Sequence, residues 1–209
     1  MAHVPTRREK QEQTKQQLLD AAARVFARRG YRPATVEEIA AEAGFTTGAV
    51  YSNFAGKEQL FLALADREVD SRIAEIRAVA DAAERGEEAG AEAAAQFARF
   101  LERDPEWPLL FYEFWSFGVR NGEIQEEFAK RRLAVRGALA DTLQRVADQL
   151  GFQLRFPAPA LAAAVSAALN GLAFERAADP ESIPDEVFAE FITAVLACSI
   201  AAPGKVASE

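Results

Sequence analysis

A chain of 209 residues with 50% hydrophobic and 27% charged residues can bury a sizeable core as one large or two small domains, which excludes wholesale disorder. Its one cysteine, Cys198, excludes an intrachain disulfide and fits a reducing compartment. The formal net charge of -8 is unevenly spread: residues 1–32 hold eight basic and three acidic side chains, leaving -13 for the rest. A polyanion partner at that one end would explain the asymmetry; so would a solvated amphipathic helix that happens to be rich in arginine.

The opening residues, MAHVPTRREKQEQTK, contain no apolar run of the kind a secretory signal needs, and a cytoplasmic protein is expected. From there nearly every segment has a helical pattern, so the predicted fold is all-α with about nine helices. A first helix runs from about Arg8 to Arg29, carrying Leu18, Leu19, Ala22, Val25 and Phe26 on one stripe and stopping at Gly30. Thr35 and Glu38 form a capping-box pattern that starts a short helix at Val36, and Gly44 ends it. Thr46 or Thr47 caps a second short helix that ends near Asn53, and a long helix starts at Lys57 and continues to the region of Ala82–Gly86. Further helices are expected over 88–103, 108–121, 124–150, 159–178 and 184–201. The longest uncharged run, FPAPALAAAVSAALNGLAF between Arg155 and Glu175, is alanine-rich and interrupted by Pro157, Pro159, Ser166 and Asn170, so it reads as a buried helix and no membrane partner is expected.

Two short helices joined by a tight turn make a helix-turn-helix. Packing them steeply requires a small residue at the crossing, a turn residue that tolerates positive φ and an apolar anchor on the second helix. Ala40, Gly44 and Val50 fall at those places, with Ile39 and Phe45 positioned to fill the small core. The text TVEEIAAEAGFTTGAVYSNFAGKEQLFLAL at 35–64, preceded by LLDAAARVFARRGY at 18–31, resembles the TetR/AcrR family of transcriptional repressors. The likeness covers about the first third of the chain; Phe45 stands where the family commonly has a smaller aliphatic residue.

The resemblance implies a DNA-binding head over 1–56 and a ligand-binding and dimerisation domain over 57–209. The second short helix would then enter the major groove of an operator. Residues 46–53 contain no carboxylate to be repelled by phosphates. The hydroxyls of Thr46, Thr47 and Ser52 and the amide of Asn53 suit phosphates or base edges, while Gly48 and Ala49 keep the approach close. The family likeness makes Tyr51 and Lys57 phosphate contacts and assigns Thr35 the same task at the other end of the motif.

Farther along, WPLLFYEFWSFG at 107–118 is dense in aromatics, with Trp107, Phe111, Phe114 and Trp115 on one helical face. On residues alone this reads as core or as a pocket for a small hydrophobic molecule. The resemblance favours an effector pocket, with Phe97, Leu101, Trp107, Phe111 and Trp115 as candidate lining and Asn170 as a polar group that orients a ligand or bonds across an interface. The last two helices offer apolar faces too broad for one chain to bury. Ala163, Ala167, Gly171, Phe174, Phe188, Ile192 and Val195 are the expected homodimer interface, built as a four-helix bundle.

The reading is therefore a ligand-responsive repressor that binds a palindromic operator as a dimer and is released by a small effector. The alternative is a helical carrier of hydrophobic molecules with no regulatory DNA binding. An enzyme is disfavoured: the only histidine is His3, and no metal-ligand spacing, phosphate loop or nucleophile motif is present, so no cofactor and no metal are expected.

Overall fold

The structure, a computed structural model, describes residues 6–86, 106–118, 122–179 and 181–184, with 187, 190 and 194. Its helices are α1 (Arg7–Arg29), α2 (Val36–Ala43), α3 (Thr47–Asn53), α4 (Lys57–Ala83), α5 (Glu106–Gly118), α6 (Gly122–Leu150) and α7 (Ala158–Ala178). The count among the described residues is seven rather than about nine. Of the two other segments expected to be helical, 88–103 lies wholly and 184–201 largely outside the described residues.

The chain forms two compact units, one of residues up to Glu68 with Leu110–Gly122, the other of Val69–Leu109 with Glu123 onward. The first unit thus runs beyond residue 56 and takes in most of α5. Its core is the stripe of α1 read from the sequence, Leu18, Leu19, Ala22, Val25 and Phe26, with Ala21 added. Against it lie Ile39 and Ala40 of α2, Val50 of α3, and Leu60, Phe61 and Leu64 of α4. Four rings close the unit. Phe61 stacks on Phe114 at a centroid distance of 3.9 Å, Tyr31 meets both edge-on at 5.3 and 4.9 Å, and Phe26 reaches Phe61 at 5.7 Å. Each buried phenylalanine contributes about 1.5–3 kcal/mol by burial, and each well-placed aromatic pair about 0.5–1.5 kcal/mol more.

Phe114 corrects the expectation that 107, 111, 114 and 115 act as one face. It is fully buried in this core, whereas Trp115, one residue and a 100° turn later, is 45% exposed. The physical reason is that Phe61 offers a stacking surface on the side of α5 that carries Leu110 and Phe114. Phe45, at the turn, is half-buried, whereas Ile39 is fully buried.

At its start α1 is capped by Thr6, whose side chain accepts from the Glu9 amide while the Glu9 carboxylate accepts from Thr6 N–H. Arg7 and Arg8 are therefore helical, and both are exposed. Three of the eight cations counted in 1–32 face α2: Arg24 and Arg28 pair with Glu42 at 2.8 and 2.9 Å, and Arg29 with Glu38 at 2.8 Å. The two guanidiniums hold the Glu42 carboxyl below its ordinary range. Much of the head's positive excess is therefore spent internally, orienting α2 on α1.

Among the described residues of the second unit, one core cluster is built on small residues. Ala140, Ala158 and Ala162 pack with Leu139, Leu143 and Leu154, so the end of α6 and the start of α7 approach closely. Thr142, buried, donates its hydroxyl to the Ile76 carbonyl at 3.3 Å, and Arg145 bridges Asp81 and Glu84. The first half of α7 buries Ala158, Leu161, Ala162 and Val165. Its other side is exposed at Ala160, Ala164, Ala167, Gly171 and Phe174, spaced by four and three residues. By length and composition alone, α7 is also the one described helix able to cross a membrane, with 22% of its apolar window buried.

Candidate nucleic-acid interface

The helix-turn-helix forms as its spacing predicts. Thr35 is the N-cap of α2, accepting from Glu38 N–H at 3.2 Å while the Glu38 carboxylate accepts from Thr35 N–H at 3.2 Å. Gly44 takes the left-handed conformation (φ 74, ψ 24) that turns the chain, and its amide returns to the carbonyls of Ala40 and Ala41. Phe45 N–H donates to the Ala40 carbonyl at 2.9 Å, which fixes the turn against the end of α2. Val50, fully buried, anchors α3 beneath.

With Val50 turned inward, the opposite side of α3 faces out. Thr46 is the N-cap, its Oγ1 accepting from Ala49 N–H at 3.3 Å. Thr47 and Ala49 are half-buried, Gly48 and Ser52 exposed, and Tyr51 is 57% exposed. A methyl added at Gly48 would meet only Thr46 Oγ1, at 3.7 Å, so the fold does not demand glycine there. Ser52 Oγ donates to the Ala49 carbonyl at 2.9 Å, and Asn53 Nδ2 donates to the same carbonyl at 2.8 Å. The Asn53 amide and the Ser52 hydroxyl are thus both turned back along their own helix; Tyr51 and Ser52 are exposed, and Thr47 is half-buried.

Lys57 sits at the first position of α4, where a cation opposes the helix dipole. Its ammonium is held by the carbonyls of Tyr31, Arg32 and Ala34, each at 2.9 Å, and lies 4.7 Å from the centre of the Tyr31 ring. Burial lowers its pKa, while Glu113 opposes that shift. Every ammonium proton has a protein partner, so a phosphate contact from Lys57 requires exchange of one carbonyl. Sequence reasoning missed this use, and it missed Glu113. The one signal for Glu113 was its being the only charged residue in 107–118. Its carboxylate accepts from Tyr31 N–H and Arg32 N–H, both at 2.8 Å.

Of the candidate effector-site residues, Phe97 and Leu101 lie outside the described residues, as does the side chain of Trp107. Phe111 is half-buried with its ring 6.4 Å from that of Tyr112, and Trp115 is largely solvent-facing. Asn170, half-buried, donates to the Ser166 carbonyl of its own helix at 2.6 Å. Of the candidate dimer residues, Ala167, Gly171 and Phe174 share the exposed stripe of α7 and Ala163 lies half-buried beside it; Phe188, Ile192 and Val195 lie outside the described residues.

Comparison with known proteins bears on this arrangement. The family model described as bacterial regulatory proteins, tetR family, matches residues 18–64, and the model described as BetI-type transcriptional repressor, C-terminal, matches residues 88–200. The chain is 34% identical over 97 residues to the transcriptional activator FasR of Mycolicibacterium smegmatis, a stretch covering 46% of this chain and 44% of FasR. It is 44% identical over 63 residues to the transcriptional repressor AcnR of Corynebacterium glutamicum, covering 30% of this chain and 33% of AcnR. The chain thus spans less than half the length of either relative. In fold it is similar to the SmeT–triclosan complex, with TM-score 0.73, 20% identity, and coverage of 94% of this chain and 98% of that one; SmeT is described as the repressor of the Stenotrophomonas maltophilia multidrug efflux pump SmeDEF. With one family model on the helix-turn-helix and another over more than half of the chain, this protein belongs to the TetR family of bacterial regulatory proteins.

Proposed function

We propose that the chain is a ligand-responsive transcriptional repressor, binding a palindromic operator as a homodimer and released by a small hydrophobic effector. The observation that supports it most is the outward edge of α3: seven residues without a carboxylate, anchored by buried Val50 and presenting Thr47, Tyr51 and Ser52. In this reading residues 1–56 are the DNA-binding head and 57–209 the effector and dimerisation domain, acting in the cytoplasm. Thr47, Gly48, Ala49 and Ser52 approach bases; Thr35, Thr46 and Tyr51 contact phosphates; Asn53 and Lys57 act mainly by holding the motif together. Repression, rather than activation as in FasR, is favoured by the repressor-type C-terminal match. A hydrophobic effector is favoured by the aromatic run and by triclosan in the complex of the structurally similar SmeT. The exposed stripe of α7 is assigned to a second copy of this chain rather than to a membrane.

The test is a selection of bound duplexes from random DNA with the full chain, followed by a screen for compounds that release the selected duplex. Recovery of a two-fold symmetric sequence, and its release by apolar compounds, is expected. Binding without sequence preference at moderate salt would defeat the operator reading. Strong binding of the apolar compounds without any DNA affinity would favour a carrier.

A further inference from the structure

The segment between α1 and α2 has no regular structure, and its backbone groups are satisfied from far along the chain. Tyr31 N–H and Arg32 N–H donate to the two oxygens of Glu113, at sequence separations of 82 and 81. On the other side, the carbonyls of Tyr31, Arg32 and Ala34 accept from Lys57. The loop is held between a carboxylate on its amide side and an ammonium on its carbonyl side, and Pro33 within it has no amide to offer. Gly30 makes the approach possible. Its φ is 79, and a Cβ built there would stand 2.7 Å from Glu113 Oε2. One residue past Ala34 comes Thr35, the N-cap of α2, and the end of α2 sets the turn into α3.

We propose that Glu113 is a positioning residue for DNA recognition: by gripping the amides of Tyr31 and Arg32 it fixes the α1–α2 loop, and through Thr35 the pose of the helix-turn-helix on DNA. The inference rests on the DNA-binding reading above and adds to it that selectivity depends on a carboxylate carried by α5. Losing the grip leaves the hydrophobic anchors Ile39 and Val50 in place, so the head stays folded while Thr35 and the start of α2 lose their register. Base readout by α3 depends on that pose, whereas attraction to phosphates does not, so a shifted loop harms the correct sequence more than it harms non-specific binding.

The experiment uses the full chain with Glu113→Gln, which keeps size and helix propensity, Glu113→Ala, and Gly30→Ala, whose methyl displaces the carboxylate from the other side. Three quantities are read: amide exchange at Tyr31 and Arg32 by NMR, affinity for the duplex selected with the wild type, and affinity for a scrambled duplex of equal length at the same salt. For Glu113→Gln, exchange at both amides speeds up and affinity for the selected duplex falls roughly tenfold, as loss of a hydrogen bond to a charged group implies, while scrambled-duplex affinity holds. Gly30→Ala narrows the ratio in the same direction. A residue that merely stabilised the fold would lower both affinities together, and that result overturns the proposal. So does unchanged exchange in both Glu113 variants, or faster exchange with an unchanged ratio. A wild type that selects no sequence overturns the DNA-binding reading itself and is seen before any variant is made.

Discussion

Tyr31 and Tyr51 are the same side chain put to opposite uses. Tyr51 has 57% of its surface exposed on α3, so Tyr51→Ala should leave the thermal midpoint unchanged while weakening binding to selected and scrambled duplexes alike by roughly tenfold, the effect of losing one phosphate hydrogen bond. Parallel thermal melts and fluorescence-anisotropy titrations check this; a loss confined to the selected duplex would make Tyr51 a base reader instead. Tyr31 is buried among Phe26, Phe61 and Phe114, and burial first, then the charges of Glu58 and Glu113, push its pKa from 10.0 up to about 12. The unfolded chain therefore releases this proton before the folded chain does. Tyr31's contribution to stability is intact below pH 10 and is lost as the pH rises toward 12. Tyrosinate absorbance should show an ionisation near pH 12 that is missing in Tyr31→Phe. A titration curve identical in the two proteins would refute the assignment.

At the scale of the element, the local rules carried far. The capping box at Thr35, the stop at Gly44 and the cap at Thr46 each depend on residues within four positions of one another, so a single stretch of sequence contains the whole cause. Thr46→Ala removes the acceptor for Ala49 N–H and should cost about 1 kcal/mol of stability in urea unfolding, with a larger loss in DNA binding because α3 frays at its contact end. An unchanged urea midpoint would mean that the cap adds nothing in this context. Where partners lie far apart in sequence, legibility failed. The aromatic run at 107–118 was visible as apolar and helical, but which ring faced the head was not, because Phe61, which captures Phe114, is more than forty residues away. Lys57 was read as a phosphate contact and not as a clamp, since its three acceptors belong to a loop whose path the sequence does not specify. Glu113 was overlooked for the same reason.

For the whole molecule, the exposed stripe of α7 raises the question of what covers it. Ala160, Ala164, Ala167, Gly171 and Phe174 recur at four- and three-residue steps, the repeat by which one helix meets another, and small residues there let two backbones come close. A Cβ at Gly171 would meet nothing within 4 Å, so the lone chain tolerates a larger side chain at that position. Gly171→Leu is therefore expected to leave the fold intact but to separate the copies, read by sedimentation as a shift from dimer to monomer, and Phe174→Arg, at a side chain 51% exposed, to separate them as well. The DNA consequence follows from symmetry. A dimer places two α3 helices on the two halves of an operator, whereas a monomer places only one. Affinity for the full palindrome should then fall to that for a single half-site, while half-site affinity stays as in the wild type. Loss of half-site binding as well would point to misfolding, and sedimentation unchanged in both variants would move the interface elsewhere. If instead the wild-type chain floats with lipid vesicles and Phe174→Arg abolishes the flotation, α7 meets a membrane, and the dimer reading falls.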